Sequence, residues 1–274
     1  MISNIHGGKT VNIYSVINID LVKSRKIQNR IEIQCKIKEY FLKLNNKYDN
    51  LLVSPITFIL GDEWQIVIRD VKESYNIFTE IKLFLHLSNL DCYCGIGIGT
   101  ISTNESNDTR EMDGDAFIYA REAINIAKKS NRFYNEVIHT KDCKLVLKGN
   151  HIDMTRNHNN QLLVNESDTL LECAVTSTED DNISLGLIDI INNIMQNNEM
   201  IENKFTDKQI DIISLYEELG SYSNIEKNYP NYTKSGISNK LSASNYFLTI
   251  YNKKVISKLL DIYAYTLGGE YCGY

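Results

Sequence analysis

Hydrophobic positions in the first hundred residues alternate between two rhythms. VNIYSVINID (11–20) is a nearly continuous apolar run ending on Asp20, the mark of a buried strand. Over 24–48 the period lengthens: Ile27, Ile31, Cys35, Ile37, Phe41 and Leu44 form one stripe, and Lys, Arg and Glu fill the rest, which predicts an amphipathic helix. PITFIL and WQIVI then read as two short strands joined by Gly61, Asp62 and Glu63, a hairpin with a tip of three residues or fewer. A second helical pattern (71–87) and a strand (91–102) complete a β-α-β-β-α-β order. That order predicts the split βαβ, ferredoxin-like arrangement, an antiparallel sheet covered by helices on one side.

The strand at 91–102 has an unusual parity. Cys92, Cys94, Ile96 and Ile98 share one face, and Gly95, Gly97 and Gly99 the other. A face of bare glycines marks the close approach of a packed helix, or of a ligand or partner surface. After a polar loop, GDAFIYAREAINIAKK (114–129) predicts a helix with an inner face of small residues, Ala116, Ala120, Ala123 and Ala127, suited to sitting tightly on a sheet. Strands near 135–139, 142–148 and 161–165 follow, then a helix over 182–202 with Leu187, Ile191, Ile194 and Ile201 on one side.

Beyond residue 203 the pattern becomes wholly helical. Thr206 reads as an N-cap, an apolar helix runs to Leu219, and Gly220 stops it. A short helix around Ile225, a turn at Pro230 and a third helix from Thr233 to Ala243 give the spacing of a helix-turn-helix. In that third helix Ile237 and Leu241 point inward, leaving Thr233, Lys234, Ser235, Ser238, Asn239 and Lys240 as the exposed, DNA-contacting candidates. A protein contact is the alternative use of such a unit. The expected division is a sheet domain (1–178), a connecting helix (179–203) and a helix-turn-helix domain (204–274): an α+β, ferredoxin-like sheet domain followed by an all-α domain.

Composition narrows the class. The chain has 274 residues, 43% hydrophobic and 23% charged, ordinary for a globular protein with real cores. Neither a secretory leader nor an apolar run of about 18 residues is present, so a cytoplasmic protein without a membrane span is expected. Six cysteines (35, 92, 94, 143, 173, 272) form no C-x-x-C pair, so reduced thiols are expected, most of them small core residues. The net charge of −6 is uneven: from Lys204 onward eight lysines face seven acids, about +1, leaving about −7 on the remainder. The near-neutral tail is therefore the better candidate for contact with nucleic acid.

Several motifs lead nowhere. HGGKT (6–10) copies the end of a phosphate-binding loop, but Ser3 stands where the first glycine belongs and the strand follows rather than precedes it. GIGIG is no dinucleotide fingerprint either, since Ser102 stands where its third glycine belongs and no helix opens there. Cys92 with Cys94, and His151 with His158, lack zinc spacing and read as core thiols and solvated loop histidines.

Asp20, Asp62 and Glu63 are different. In a split βαβ fold the end of the first strand meets the hairpin tip, which brings Asp20 and Asp62 to one place. Paired carboxylates repel unless a cation lies between them, and hard oxygen ligands suit Mg²⁺ or Mn²⁺ carrying a nucleoside triphosphate. A solvated turn with a capping Asp is the plainer alternative.

These residues carry a resemblance. VINIDLVKS and LGDEWQIVI resemble the two metal-binding segments of class III nucleotide cyclases and, more loosely, of GGDEF cyclases and polymerase palm domains. CGIGIGTIS and DGDAFIYAREA resemble the cyclase strand and the helix after it. The chain is more similar still to the SatD family, which joins a domain with a G-D-E-aromatic-Q hairpin and a D-G-x-A…A-R-E-A helix to a C-terminal helix-turn-helix. The cyclase comparison implies Asp20 and Asp62 as metal ligands, the Leu21 carbonyl as a further contact, and Gly61, Glu63 and Gly97 beside the nucleotide. It also implies a homodimer with a shared site. The pattern departs at the helix, where Ile118 replaces an asparagine and Arg121, the candidate catalytic arginine, falls one position early, turned by about 100°. The expected function is a metal- or nucleotide-responsive DNA-binding transcription regulator. An active nucleotidyl cyclase or small nucleotide polymerase, or a catalytically dead dimerisation scaffold, are the alternatives.

Overall fold

A computed structural model describes residues 11–129, 143–154, 163–165 and 185–268. HGGKT, His158, Cys173, Cys272, the strand expected at 135–139 and the first residues of the helix expected from 182 lie outside the described residues.

Strand β1 (Tyr14–Leu21) is followed by α1 (Arg30–Lys47), the hairpin β2 (Thr57–Leu60) and β3 (Glu63–Ile68), α2 (Ser74–Leu87), β4 (Cys92–Gly99), α3 (Asp115–Lys129) and β5 (Leu145–Lys148). The sheet order is β2-β3-β1-β4-β5. β1 is antiparallel to both neighbours, and β5 joins β4 in parallel, so the sheet is mixed rather than antiparallel throughout. Two short strands, β6 (His151–Asp153) and β7 (Leu163–Asn165), pair separately.

Helices cover both faces of the sheet, not one as expected. Ile17, Ile19, Trp64, Ile66, Cys94 and Ile96 pack against α1, α2 and later helices, while Val16 and Val67 pack against Ala116, Phe117 and Ala120 of α3. The alternation of side chains along a strand requires two such layers once both sets of positions are apolar. Ala116, Ala120, Ala123 and Ala127 are all buried, as their spacing predicts. The phase of α1 differs from expectation. Lys23 and Asn29 have left-handed φ of 54° and 56°, and between them stands only a 3₁₀ turn (Ser24–Lys26), so the helix starts at Arg30. The buried stripe is therefore Ile37, Phe41 and Leu44, and Ile31 is 80% exposed. His151, expected in a solvated loop, is buried on β6 with its ring against Gly186.

Helix α4 (Leu187–Glu202) seals the β5 edge: Leu147 N–H donates to Asn192 Oδ1 (2.9 Å), and Asn192 Nδ2 donates to the Leu147 carbonyl (2.8 Å). Then come α5 (Asp207–Leu219), α6 (Tyr222–Asn228), α7 (Lys234–Ala243) and α8 (Tyr246–Thr266). Thr206 and Gln209 form a reciprocal cap at the start of α5, and Gly220 ends it with φ 73°. Ile212, Ile213, Ile225, Ile237, Leu241 and Tyr246 make a second core. The 21-residue α8 was not legible in the sequence. It contributes Tyr246 to that second core and Ile256, Leu260 and Tyr263 to the main one. Tyr263 O–H donates to the Asn150 carbonyl at 2.7 Å. One continuous helix is thus shared by both cores. Among the described residues no helix is long and apolar enough to cross a membrane.

Candidate functional site

The hairpin turn has two residues, within the three or fewer expected, with Gly61 and Asp62 between the strands and Glu63 already in β3. Gly61 has φ +58°, where a side chain is strained, which is why glycine stands there. Gln34 of α1 donates to its carbonyl at 3.0 Å. With the turn this short, Asp20 pairs in register with Glu63. Directly opposed residues share a face, so Asp20 and Glu63 project toward the α3 side. Leu21 N–H donates to the Asp62 carbonyl at 3.3 Å, and Asp62 itself lies in the turn, outside the paired strands. The carboxylate facing Asp20 is therefore Glu63, where the sequence reading gave that place to Asp62. A one-residue difference in turn length exchanges the two.

A cation already stands at Asp20. Lys128, in the last turn of α3, places Nζ 2.6 Å from Asp20 Oδ2, with side-chain exposures of 34% and 20%. The sequence reading missed Lys128. The signal was available in the topology: α3 returns antiparallel to β4, so its last turn lies beside the start of β4 and the end of β1. Asp62 and Glu63 are half-buried and form no ion pair with a described residue. Among the described residues no group of three or more His, Cys, Asp or Glu side chains is placed to hold a metal ion.

Gly97 does not face a ligand or partner. A Cβ there would lie 2.2 Å from the Ala116 carbonyl oxygen and 2.2 Å from the Ala120 amide nitrogen, and one at Gly95 would lie 2.2 Å from the Ile124 amide nitrogen. The bare glycine face admits the backbone of α3. Arg121 is exposed on α3, seven residues before Lys128 and so on the same side of the helix, about 10 Å back along its axis. It is not gathered at the hairpin tip.

In the helical region Ile237 and Leu241 are fully buried, and Thr233, Lys234, Ser235 and Asn239 are exposed, with Ser238 and Lys240 half-buried. Thr233 caps α7, its hydroxyl accepting from Gly236 N–H at 3.1 Å. Lys234 is not fully free: its Nζ lies 3.7 Å from Glu226 of α6, whose other oxygen accepts from Lys234 N–H at 3.3 Å. Lys240 stands 5.9 Å from the centre of the Tyr232 ring. These residues share one polar face, moderated by one acid.

A third cluster lies where α2, α4 and α8 meet. Lys82 reaches Glu199 at 3.2 Å and Glu202 at 3.6 Å, Lys253 reaches Glu202 at 3.6 Å, and Lys144 N–H donates to Glu199 Oε2 at 3.1 Å. Burial pulls the Lys82 ammonium toward neutrality, and the two glutamates more than reverse this, raising its pKa. Of the described cysteines Cys92, Cys94 and Cys143 are buried and Cys35 is exposed. Cys92 and Cys94 lie beside this cluster, and burial raises both thiol pKa values, leaving them protonated.

Residues 14–158 match the SatD family, more than half of the chain. The chain therefore belongs to the SatD family. Compared with curated proteins, it matches none.

Proposed function

We propose that this SatD-family protein is a DNA-binding regulator. In this reading the hairpin tip takes a divalent cation, with nucleotide phosphates as further ligands, and the α5–α7 unit is a helix-turn-helix. The observation that carries the metal half is the opposition of Asp20 and Glu63 across β1 and β3. Like charges directly opposed destabilise a sheet pair. A cation between them turns that repulsion into binding, and Mg²⁺ is usually held by one or two carboxylates together with substrate phosphates. The donor set fits an ion held by two carboxylates and phosphate: Asp20 and Glu63 would be the carboxylate ligands, with the Leu21 carbonyl as a further hard oxygen, and among the described residues no third acidic group is placed with them. The metal would supply positive charge for phosphate. Lys128 holds Asp20 in the metal-free protein and is free to turn toward a phosphate oxygen when the metal takes its place.

The strand order β2-β3-β1-β4, with β1 central and antiparallel to its neighbours, supports a ferredoxin-like, cyclase-like origin. Arg121 weighs against the enzyme alternative, because it stands about two helical turns from Lys128 and would need to reach the hairpin tip to stabilise a reacting phosphate. For the DNA half, the support is the polar face of α7 over its buried Ile237 and Leu241. Helix α8 links the two halves, so a change at the sheet has a rigid route to the helical unit.

The test uses the full chain, genomic fragments of the source organism, and Mn²⁺ with ATP or GTP. Retained fragments should be released by salt, and Mn²⁺ with nucleotide should shift their affinity in the wild type but not in Asp20→Asn. No retention at low salt would move the helical unit to protein contact. Conversion of the nucleotide, read by mass spectrometry, would overturn the regulator reading in favour of an enzyme.

A further inference from the structure

A cavity of about 650 Å³ lies between the sheet's helical layer and the three-helix unit, within the range that holds a small molecule. Its walls come from both sides: Tyr40 and Tyr48 from α1 and the loop after it, Glu217 from α5, and Tyr246 from α8. It does not include the hairpin tip.

The charges in this cavity are unevenly satisfied. Three lysines and four glutamates line it. Each lysine is committed: Lys47 to Glu80 at 2.7 Å, Lys82 to Glu199 and Glu202, and Lys253 to Glu202. Glu80 also accepts from Tyr48 O–H at 2.5 Å. Glu217 and Glu218 form no ion pair with a described residue. Among the described residues the one hydrogen bond at the Glu217 carboxylate comes from Tyr246 O–H at 3.5 Å, the outer limit of such a bond. Glu217 is exposed as a residue, yet the partial desolvation of its carboxylate and the nearby Glu202 and Glu80 raise its pKa, against the pull of Lys253 and Tyr246. Glu217 is a carboxylate short of positive charge, in a space walled by aromatic rings.

We infer that this cavity binds a small organic cation with a flat apolar body, its ammonium, amidinium or guanidinium group on Glu217 and its body against the tyrosines. Aromatic faces attract such cations and give a flat body matched contact area. An anion would have to break existing ion pairs and face the glutamate excess. A bare divalent ion lacks a third acidic or imidazole ligand among the described residues. Because the walls belong to α1 and α2 on one side and α5 and α8 on the other, the ligand would bridge the two cores.

The test is isothermal titration of the full chain with benzamidine as the cation, benzyl alcohol as the neutral analogue and benzoate as the anion. Neither metal nor DNA is used, so the outcome is independent of the regulator reading. Benzamidine should bind once per chain, at least tenfold more tightly than benzyl alcohol, and benzoate should not bind. Glu217→Gln, which keeps the side-chain shape, should weaken benzamidine about tenfold, equivalent to about 1.4 kcal/mol. Ser214→Arg, which hangs a guanidinium into the same cavity from one turn earlier, should block it, with circular dichroism confirming that both variants fold. Benzamidine failing to saturate at millimolar concentration, benzoate binding as well as benzamidine, or Glu217→Gln titrating like the wild type would each overturn the assignment.

Discussion

The ammonium of Lys128 closes on the carboxylate of Asp20 at 2.6 Å, joining the last turn of α3 to the end of the central strand. It offsets the charge that Glu63 presents from directly across the sheet. The pair is partly exposed, so its own contribution is small, about 0.5–1 kcal/mol. Lys128→Met should therefore lower metal-free stability by about 1 kcal/mol, once the exposed repulsion is added. Mn²⁺ should recover more stability in this variant than in the wild type, because it no longer competes with an ammonium. Urea unfolding with and without Mn²⁺ measures both effects. Equal responses to Mn²⁺ in Lys128→Met, Asp20→Asn and wild type would remove the metal from the hairpin tip.

The glycine face makes a sharper structural prediction. A side chain at Gly97 collides with the backbone of α3 at Ala116 and Ala120, which has no rotamer with which to yield. Gly97→Val should cost at least the about 1–3 kcal/mol typical of overpacking, with no change in oligomeric mass. Denaturation and light scattering together check it. A stable variant of altered mass would mean that Gly97 faces a partner after all.

Local periodicity explains which parts of this arrangement were legible in the sequence. The inward Ala116, Ala120, Ala123 and Ala127, and Ile237 with Leu241, follow from helical spacing alone, and the structure places them as read. The acidic tip was found, but its pairing was not. Whether Asp62 or Glu63 faces Asp20 depends on one residue of turn length, and composition does not encode it. Lys128 and Lys82 were invisible for another reason: their partners, Asp20 and Glu199, are distant in sequence, and only the assembled topology brings them together. Helix α8 was missed because it is apolar on several sides, serving two cores at once, and so shows no single stripe.

The polar face of α7 carries its own brake. Glu226 holds Lys234 by side chain and backbone, so the lysine is only partly available for a phosphate. Glu226→Gln should tighten binding to genomic DNA fragments. Lys234→Ala should weaken it across sequences and reduce the salt slope by about one. Fluorescence anisotropy across a salt series reads both. If neither substitution alters affinity or slope, α7 is not the DNA-facing helix.

Glu217 is exposed as a residue, so the pH dependence it gives to folding is small, but its direction is defined. Its pKa is raised in the folded state, chiefly by partial desolvation and then by Glu202 and Glu80, with Lys253 opposing. The folded state therefore keeps this proton to higher pH than the unfolded chain does. Its contribution is most favourable below the ordinary carboxylate pKa of about 4.3 and is lost as pH rises through the folded value. Glu217→Gln cannot ionise, so it should match the wild type at low pH and gain a higher urea midpoint as pH rises toward neutral, the gap then levelling off. A wild type as stable as the variant at pH 7 would mean that the carboxylate is adequately paired or solvated.

The last prediction concerns the buried ions between α2, α4 and α8. Glu199 is 3% exposed and has two supports, Lys82 at 3.2 Å and the Lys144 N–H at 3.1 Å. Removing only the lysine leaves a buried carboxylate with a single hydrogen bond, and an uncompensated charge of this kind costs about 3–5 kcal/mol. Lys82→Met should therefore be severely destabilising, although methionine is more apolar and nearly as long. Glu202 also loses Lys82 but keeps Lys253, so most of the penalty falls on Glu199. In the double variant Lys82→Met with Glu199→Gln the buried charge is gone, and the amide still accepts from Lys144 N–H, so most of the lost stability should return. Urea unfolding of the wild type, both single variants and the double variant closes the cycle. A double variant no more stable than Lys82→Met alone would place the cost in lost packing of the lysine stem, and the junction of the three helices would then owe its order to shape rather than to charge.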